Sequence, residues 1–286
     1  MHWSDRRQRF RAVLAGDRCV HPGSVHDAIS ARIAEDLGFE LGMLAGSIAS
    51  FAVLGAPDLI VLTLTEFAAQ AYRINRAGKL PLMVDADHGY GNALNVMRTV
   101  QELETAGVAG LSIEDTILPR PFNEPKPVLM SVEEGIGKMR AAVAGRQDPS
   151  LCIFGRTSAP GITGTADTIE RVRAYSQTGV DAIFLVGVKD RAQLDAISAA
   201  THLPIMMGGT QDDLADRDYL ASRKVRIALQ GHQPFSASVQ AIYTTLKALR
   251  EGVAPKDLTG IASAALLKQV TREAEYDGWT KEFLGG

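Results

Sequence analysis

Eight short apolar runs, each followed by a longer stretch with helical periodicity, restrict this chain more than any other feature. The runs predict strands at 18–21, 41–45, 82–85, 110–114, 151–156, 182–186, 203–207 and 225–229. Most are apolar on both faces instead of alternating, the pattern of parallel strands covered on both sides. The stretches between them predict helices over 3–16, from Ser24 to about 37, from Thr65 to about 77, and from about 94 to 106. Further helices are predicted from Ser131 to about 144, from Thr165 or Asp167 to 178, from Asp190 to about 200, weakly over 212–222, and over 236–251. Pro22-Gly23 reads as the stop of the first strand, Gly46-Ser47-Ile48-Ala49-Ser50 as a small-residue loop, and 116–130 as irregular and proline-rich. Eight strand–helix units in 286 residues predict an α/β fold, a single (β/α)8 TIM-type barrel with extra C-terminal helices. A doubly wound open sheet is the alternative. It is disfavoured because no Gly-rich dinucleotide fingerprint follows the first strand. Residues 1–255 are expected to form the barrel, and 256–286 a helical extension.

In such a barrel the chemistry sits where strands end. The polar residues there are His21, Ser47, Asp85, Asp87, Glu114, Arg156 and His232, with Gly187 and Gly208. Asp85 and Asp87 follow the apolar run 82–84, and alternation along a strand turns them to one face. Two like charges on one face are costly unless a cation sits between them. Hard oxygen ligands suit magnesium or manganese. The competing reading is that Asp87 or Asn92 caps the next helix and Asp85 is solvated. Arg156 either orients an anion or pairs with Glu114. With 30 Lys and Arg against 33 Asp and Glu, the net charge of −3 favours neither nucleic acid nor an anionic membrane as partner. Cys19 and Cys152 are too few for a disulfide framework, are read as buried packing residues, and fit a cytoplasmic location. The arginine-rich N-terminus lacks the apolar core of a secretory signal, and no stretch is long enough to span a bilayer.

The motifs Gly46-Ser47-Ile48-Ala49-Ser50, Gly55-Ala56-Pro57-Asp58, Asp85-Ala86-Asp87-His88-Gly89-Tyr90-Gly91, Ile113-Glu114-Asp115 and Gly155-Arg156-Thr157 occur in this order. Together they resemble the isocitrate lyase and phosphoenolpyruvate mutase superfamily, over about residues 16–250. The stretch 91–100 and Gly231-His232 are most similar to its oxaloacetate decarboxylase branch. The resemblance implies a lyase that decarboxylates oxaloacetate, or a close 2-oxo dicarboxylate, to pyruvate through a metal-stabilised enolate. It implies Mg2+, with Mn2+ as a substitute, bound directly by Asp85. Asp58, Asp87 and Glu114 would hold the metal's water shell. Ser47, with Gly46 and nearby backbone N–H groups, would hold the substrate carboxylate or oxo oxygen. Arg156 would neutralise and orient the anion, and His232 would contact the distal carboxylate.

Departures from the family narrow the substrate. Residues 118–127 contain no cysteine, so the acid/base thiol of the isocitrate-cleaving members is missing. Ser158-Ala159-Pro160 and Met207-Gly208-Gly209-Thr210 reshape the pocket rim. Phosphonopyruvate or a substituted malate is the alternative substrate, and an attenuated oxo-acid binding protein the alternative class. Leu258, Ile261, Leu266, Leu267, Trp279 and Phe283 need an apolar partner. The resemblance implies that this C-terminal segment packs on a neighbouring subunit of a homotetramer, a dimer of dimers.

Overall fold

Seven of the eight apolar runs become strands, whereas the run 18–21 supplies only a bridge at Val20 and the first strand forms at 23–24; the strands pair in sequence order. The computed structural model describes residues 2–210 and 212–285. Helix α1 (Trp3–Ala15) precedes β1 (Gly23–Ser24), α2 (Ala28–Asp36), β2 (Gly42–Leu44), α3 (Gly46–Leu54) and α4 (Leu64–Arg76). Then come β3 (Leu82–Asp85), α5 (Ala93–Thr105), β4 (Gly110–Glu114), α6 (Val132–Gly145), β5 (Cys152–Thr157), α7 (Ala159–Ile162) and α8 (Thr165–Ser176). The barrel ends with β6 (Ala182–Leu185), α9 (Arg191–Ser198), β7 (Ile205–Met207), α10 (Arg217–Ser222) and β8 (Val225–Ala228). All eight strands are parallel neighbours in the order β1 to β8, and a bridge from Val20 to Ile227 closes the ring. The chain is a (β/α)8 barrel.

Two apolar layers follow from strand alternation. Met43, Met83, Cys152, Phe154, Phe184, Met206 and Ile227 fill the barrel, and Phe10 and Leu14 of α1 join them. A second layer, including Leu44, Val84, Leu111, Ile153 and Leu185, packs the strands against the helices. The α1 arginines act as staples for backbone carbonyls. Arg7 donates to the carbonyls of Val108 at 3.0 Å and Glu104 at 2.6 Å, and Arg11 to that of Ser150 at 2.9 Å. Glu104 lies in the last turn of α5, where carbonyls lack helical partners and a cation is favourable.

Four local expectations need correction. Gly23 is within the first strand, not its stop: its N–H donates to the Leu41 carbonyl at 3.0 Å. Pro22, two residues past Val20, has no N–H to offer β8, which explains why pairing on that side is a single bridge. Ser24 is in β1, and Asp27 caps α2 instead. Thr63, not Thr65, caps α4 by a reciprocal box with Glu66, the spacing such a box requires. The supposed loop 46–50 is the start of α3, whose Ile48, Ala49 and Ser50 are buried and whose end is capped by Gly55 at φ 62°. Packing outweighs the loop tendency of its glycine and serines.

Contacts divide the chain into two compact units, one ending at Gly231 and one starting at His232. The 255 boundary expected from the sequence falls inside the second. This unit contains α11 (Gln233–Arg250), α12 (Ala264–Thr271) and α13 (Glu273–Leu284). Val239, Ile242, Tyr243 and Leu246 form an exposed apolar stripe along α11 at helical spacing. Among the described residues, no helix is long and apolar enough to cross a membrane.

Candidate active site at the barrel mouth

Asp85 is the last residue of β3, Glu114 the last of β4, and Arg156 the fifth of the six residues of β5. Register places Glu114 directly beside Arg156 and Asp85 beside Ser112. Period-two alternation therefore turns Asp85, Ser112, Glu114 and Arg156 to the same interior face. Arg156 donates to Asp85 Oδ2, and its other terminal nitrogen lies 3.6 Å from Glu114 Oε2. Its guanidinium also stacks over the Phe184 ring at 5.3 Å. Ser112 Oγ donates to Asp85 Oδ1 at 2.8 Å, and Thr116 Oγ1 to Glu114 Oε2 at 2.6 Å.

Asp87 lies just beyond β3, in left-handed backbone at φ 47°. Its carboxylate presses on the start of α3. A Cβ added to Gly46 would lie 2.5 and 2.6 Å from the two Asp87 oxygens. Only glycine allows that approach. Ser47 follows it in the first turn of α3, half-buried. Asp58, on the exposed loop after α3, is close enough to feel both Asp85 and Arg156.

The electrostatics are those of surplus negative charge. Burial, then Asp85 and Glu114, push the Asp87 carboxyl well above the usual carboxylate range, and Arg156 only partly offsets them. Burial also raises Glu114, against the pull of Arg156. Partial desolvation and Asp85 raise Asp58. Burial pulls the Arg156 guanidinium down, but Asp85, Glu114 and Asp87 outweigh it and hold its proton more tightly than usual. One arginine is thus asked to balance four acids.

The donor set fits a hard divalent cation that keeps most of its water. Among the described residues, no three His, Cys, Asp or Glu side chains converge as a closed cage. One strand-end carboxylate with others standing behind it suits magnesium, which needs few direct protein ligands. The capping alternative falls on Asn92 alone: its side chain accepts from Leu94 N and Asn95 N, whereas Asp85 is buried and not solvated.

The structure therefore gathers Asp85, Asp87, Glu114, Arg156, Gly46 and Asp58 at one mouth. His232 is the first residue of the second unit, where its carbonyl accepts from Phe235 N at 3.1 Å as α11 begins. Sequence reasoning missed Ser112 and Thr116. The first was findable: Ser112 is two residues before Glu114 and must share its face. Cys19 and Cys152 are buried as expected, and burial pushes their thiols up to about 11 and about 12.

Known proteins align with this geometry over the whole chain. The family model described as phosphoenolpyruvate phosphomutase matches residues 10–250. An oxaloacetate decarboxylase of Bradyrhizobium diazoefficiens is 60% identical over 285 residues, covering 100% of this chain and 99% of that protein. One from Rhodopseudomonas palustris strain BisA53 is 57% identical over the same length. Among solved structures, an oxaloacetate acetylhydrolase in complex with the inhibitor 3,3-difluorooxalacetate superposes with a TM-score of 0.85 at 27% identity, covering 99% of this chain and 98% of that one. A phosphonopyruvate hydrolase in complex with oxalate and Mg++ gives 0.84 at 25% identity, covering 98% and 99%.

Proposed function

Because the chain belongs to the phosphoenolpyruvate phosphomutase family, we propose that it is a carboxy-lyase that decarboxylates oxaloacetate to pyruvate and carbon dioxide with a divalent cation, magnesium foremost. The observation that carries this reading is the surplus of carboxylates around Arg156 at the barrel mouth. Asp85 would be the direct metal ligand, and Asp58, Asp87 and Glu114 would accept hydrogen bonds from the metal's waters. When bound, the cation supplies Lewis-acid stabilisation of the charge left on the 2-oxo oxygen as carbon dioxide departs.

The protein's own groups do the rest. Ser112 and Thr116 fix the rotamers of Asp85 and Glu114 by hydroxyl donation. Arg156 is half-buried, permanently charged and forked, so it can exchange an acidic partner for a substrate carboxylate without losing hydrogen bonds. Gly46 and Ser47 open α3, where backbone N–H groups have no helical acceptor and favour an anion. The carboxylate that leaves must stay clear of these donors, since tying it down would stabilise the ground state. No base is needed for the cleavage, and a proton from water completes pyruvate. Missing acid/base thiol chemistry in 118–127 supports decarboxylation over isocitrate-type cleavage.

The test is pyruvate release from oxaloacetate, corrected for the metal-catalysed background. Release that stops with EDTA and returns with magnesium supports the reading. Tight oxalate binding without turnover contradicts it. We further propose a cytoplasmic homotetramer, supported by the exposed apolar stripe on α11 and by exposed Leu266, Leu267, Trp279 and Phe283. A monomer by light scattering contradicts it.

A further inference from the structure

Four of the five residues 87–91 have backbone in the positive-φ region: Asp87 at 47°, Gly89 at 77°, Tyr90 at 61° and Gly91 at 148°. Two of these carry side chains, and such backbone persists only where its surroundings hold it. Here four consecutive carbonyls are each claimed. The Ala86 carbonyl accepts from Gly89 N at 2.9 Å and that of Asp87 from Glu114 N at 2.8 Å. The Gly89 carbonyl accepts from Thr99 Oγ1 at 2.9 Å. The His88 carbonyl accepts from Lys138 Nζ at 2.8 Å.

Lys138 is unusual among these donors. It sits on α6, on the far side of the barrel wall, and is only 4% exposed. A buried ammonium is costly without a role or a partner. No ion pair is formed by Lys138 among the described residues; its charge is felt instead by Glu134, Glu114 and Asp115. We propose that Lys138 is a positioning residue for the acidic cluster: by fixing the His88 carbonyl it sets the turn that aims the Asp87 carboxylate at Gly46 and the barrel mouth. Its charge, one layer behind Glu114, also offsets part of the acid surplus that the cation completes. A neutral side chain would supply no charge, and glutamine, one bond shorter than lysine, would also fall short of the carbonyl. The proposal rests on the metal-dependent function above.

The test uses the full-length chain and two uncharged variants, Lys138→Met and Lys138→Gln, with Lys138→Arg as the conservative one. Mn2+ binding in the presence of oxalate is followed by the EPR signal of free Mn2+, beside magnesium activation curves and thermal melts. Lys138→Met is expected to weaken Mn2+ binding about tenfold or more, the scale of losing an outer-shell support. Its kcat at saturating magnesium should remain within about threefold of the wild type, and Lys138→Arg should recover most of the affinity. A folded Lys138→Met with wild-type Mn2+ affinity overturns the assignment. So does a lowered melting temperature with no change in the magnesium activation constant. If the methionine variant does not fold, wild-type Mn2+ affinity in soluble Lys138→Gln overturns it equally. Wild-type protein that binds no Mn2+ overturns the functional reading itself, which separates the two failures.

Discussion

Glu114 and Asp115 are adjacent in sequence, and they face opposite sides of the barrel wall. Glu114 points inward to Arg156; Asp115 points outward to Arg171 and Tyr175 of α8. Both acids are almost fully buried, and burial raises both. The difference lies in their neighbours. Asp115 Oδ2 accepts from Arg171 at 3.0 Å and from Tyr175 OH at 2.8 Å, and Tyr175, Arg171 and Thr157 all favour its charged form. Arg171 in turn reaches Asp167 at 2.9 Å and the Met130 carbonyl at 3.0 Å. Each acid of that cluster is hydrogen-bonded to Arg171, although Asp115 Oδ1 has no hydrogen-bond partner among the described residues. Around Arg156, by contrast, Asp85, Asp58 and Asp87 add to one another's cost. A cluster whose acids are each paired to its own arginine holds a fold together. A cluster with unneutralised acids at an open mouth is built for something that arrives from solution.

Breaking each side should have opposite consequences. The largest effect is expected for Asp85→Asn: loss of magnesium-dependent pyruvate release by about a thousandfold, with the melting temperature of the metal-free protein little changed. Arg171→Ala should do the reverse. It strands a buried carboxylate and should cost about 3–5 kcal/mol of stability in denaturant unfolding, while the folded fraction still binds Mn2+. If Arg171→Ala abolished metal binding without destabilising the fold, the division between the two clusters would be wrong. Gly46→Ala comes next. Its methyl would meet both Asp87 oxygens, so a loss of about tenfold to a hundredfold in kcat/KM is expected.

The smallest effect is on pH dependence, and its sign follows from the raised acids. The unperturbed values are 3.8 for Asp58 and Asp87 and 4.5 for Glu114, and all three are higher in the folded chain. Their contribution to stability is present below those values and is lost as pH rises through the folded ones. Bound magnesium relieves that loss. The rise in melting temperature on adding magnesium should therefore grow as pH climbs above the ordinary carboxylate range. A rise that is flat with pH would mean the cation does not bind among these acids.

Much of this was legible in the sequence because it rests on short-range rules. Two-faced apolar runs gave the parallel strands, and the residues at their ends gave Asp85, Glu114 and Arg156. Alternation even carries Ser112, which shares a face with Glu114. What escaped notice depends on tertiary placement. Lys138 is an ordinary helix residue until α6 packs behind β4. Helix α3 looks like a loop because the glycine that admits Asp87 and the buried serine that holds the next turn are both poor helix formers. The short helix α7 begins with Pro160 in its first turn, where proline is tolerated but reads as a breaker.

The most direct test is a crystal structure grown with Mn2+ and oxalate, with anomalous differences measured for the metal. The account predicts one anomalous peak per chain at direct-ligand distance from Asp85, with Arg156 turned toward the oxalate. Asp85 still locked to Arg156, with no metal peak beside it at saturating Mn2+, would contradict the account.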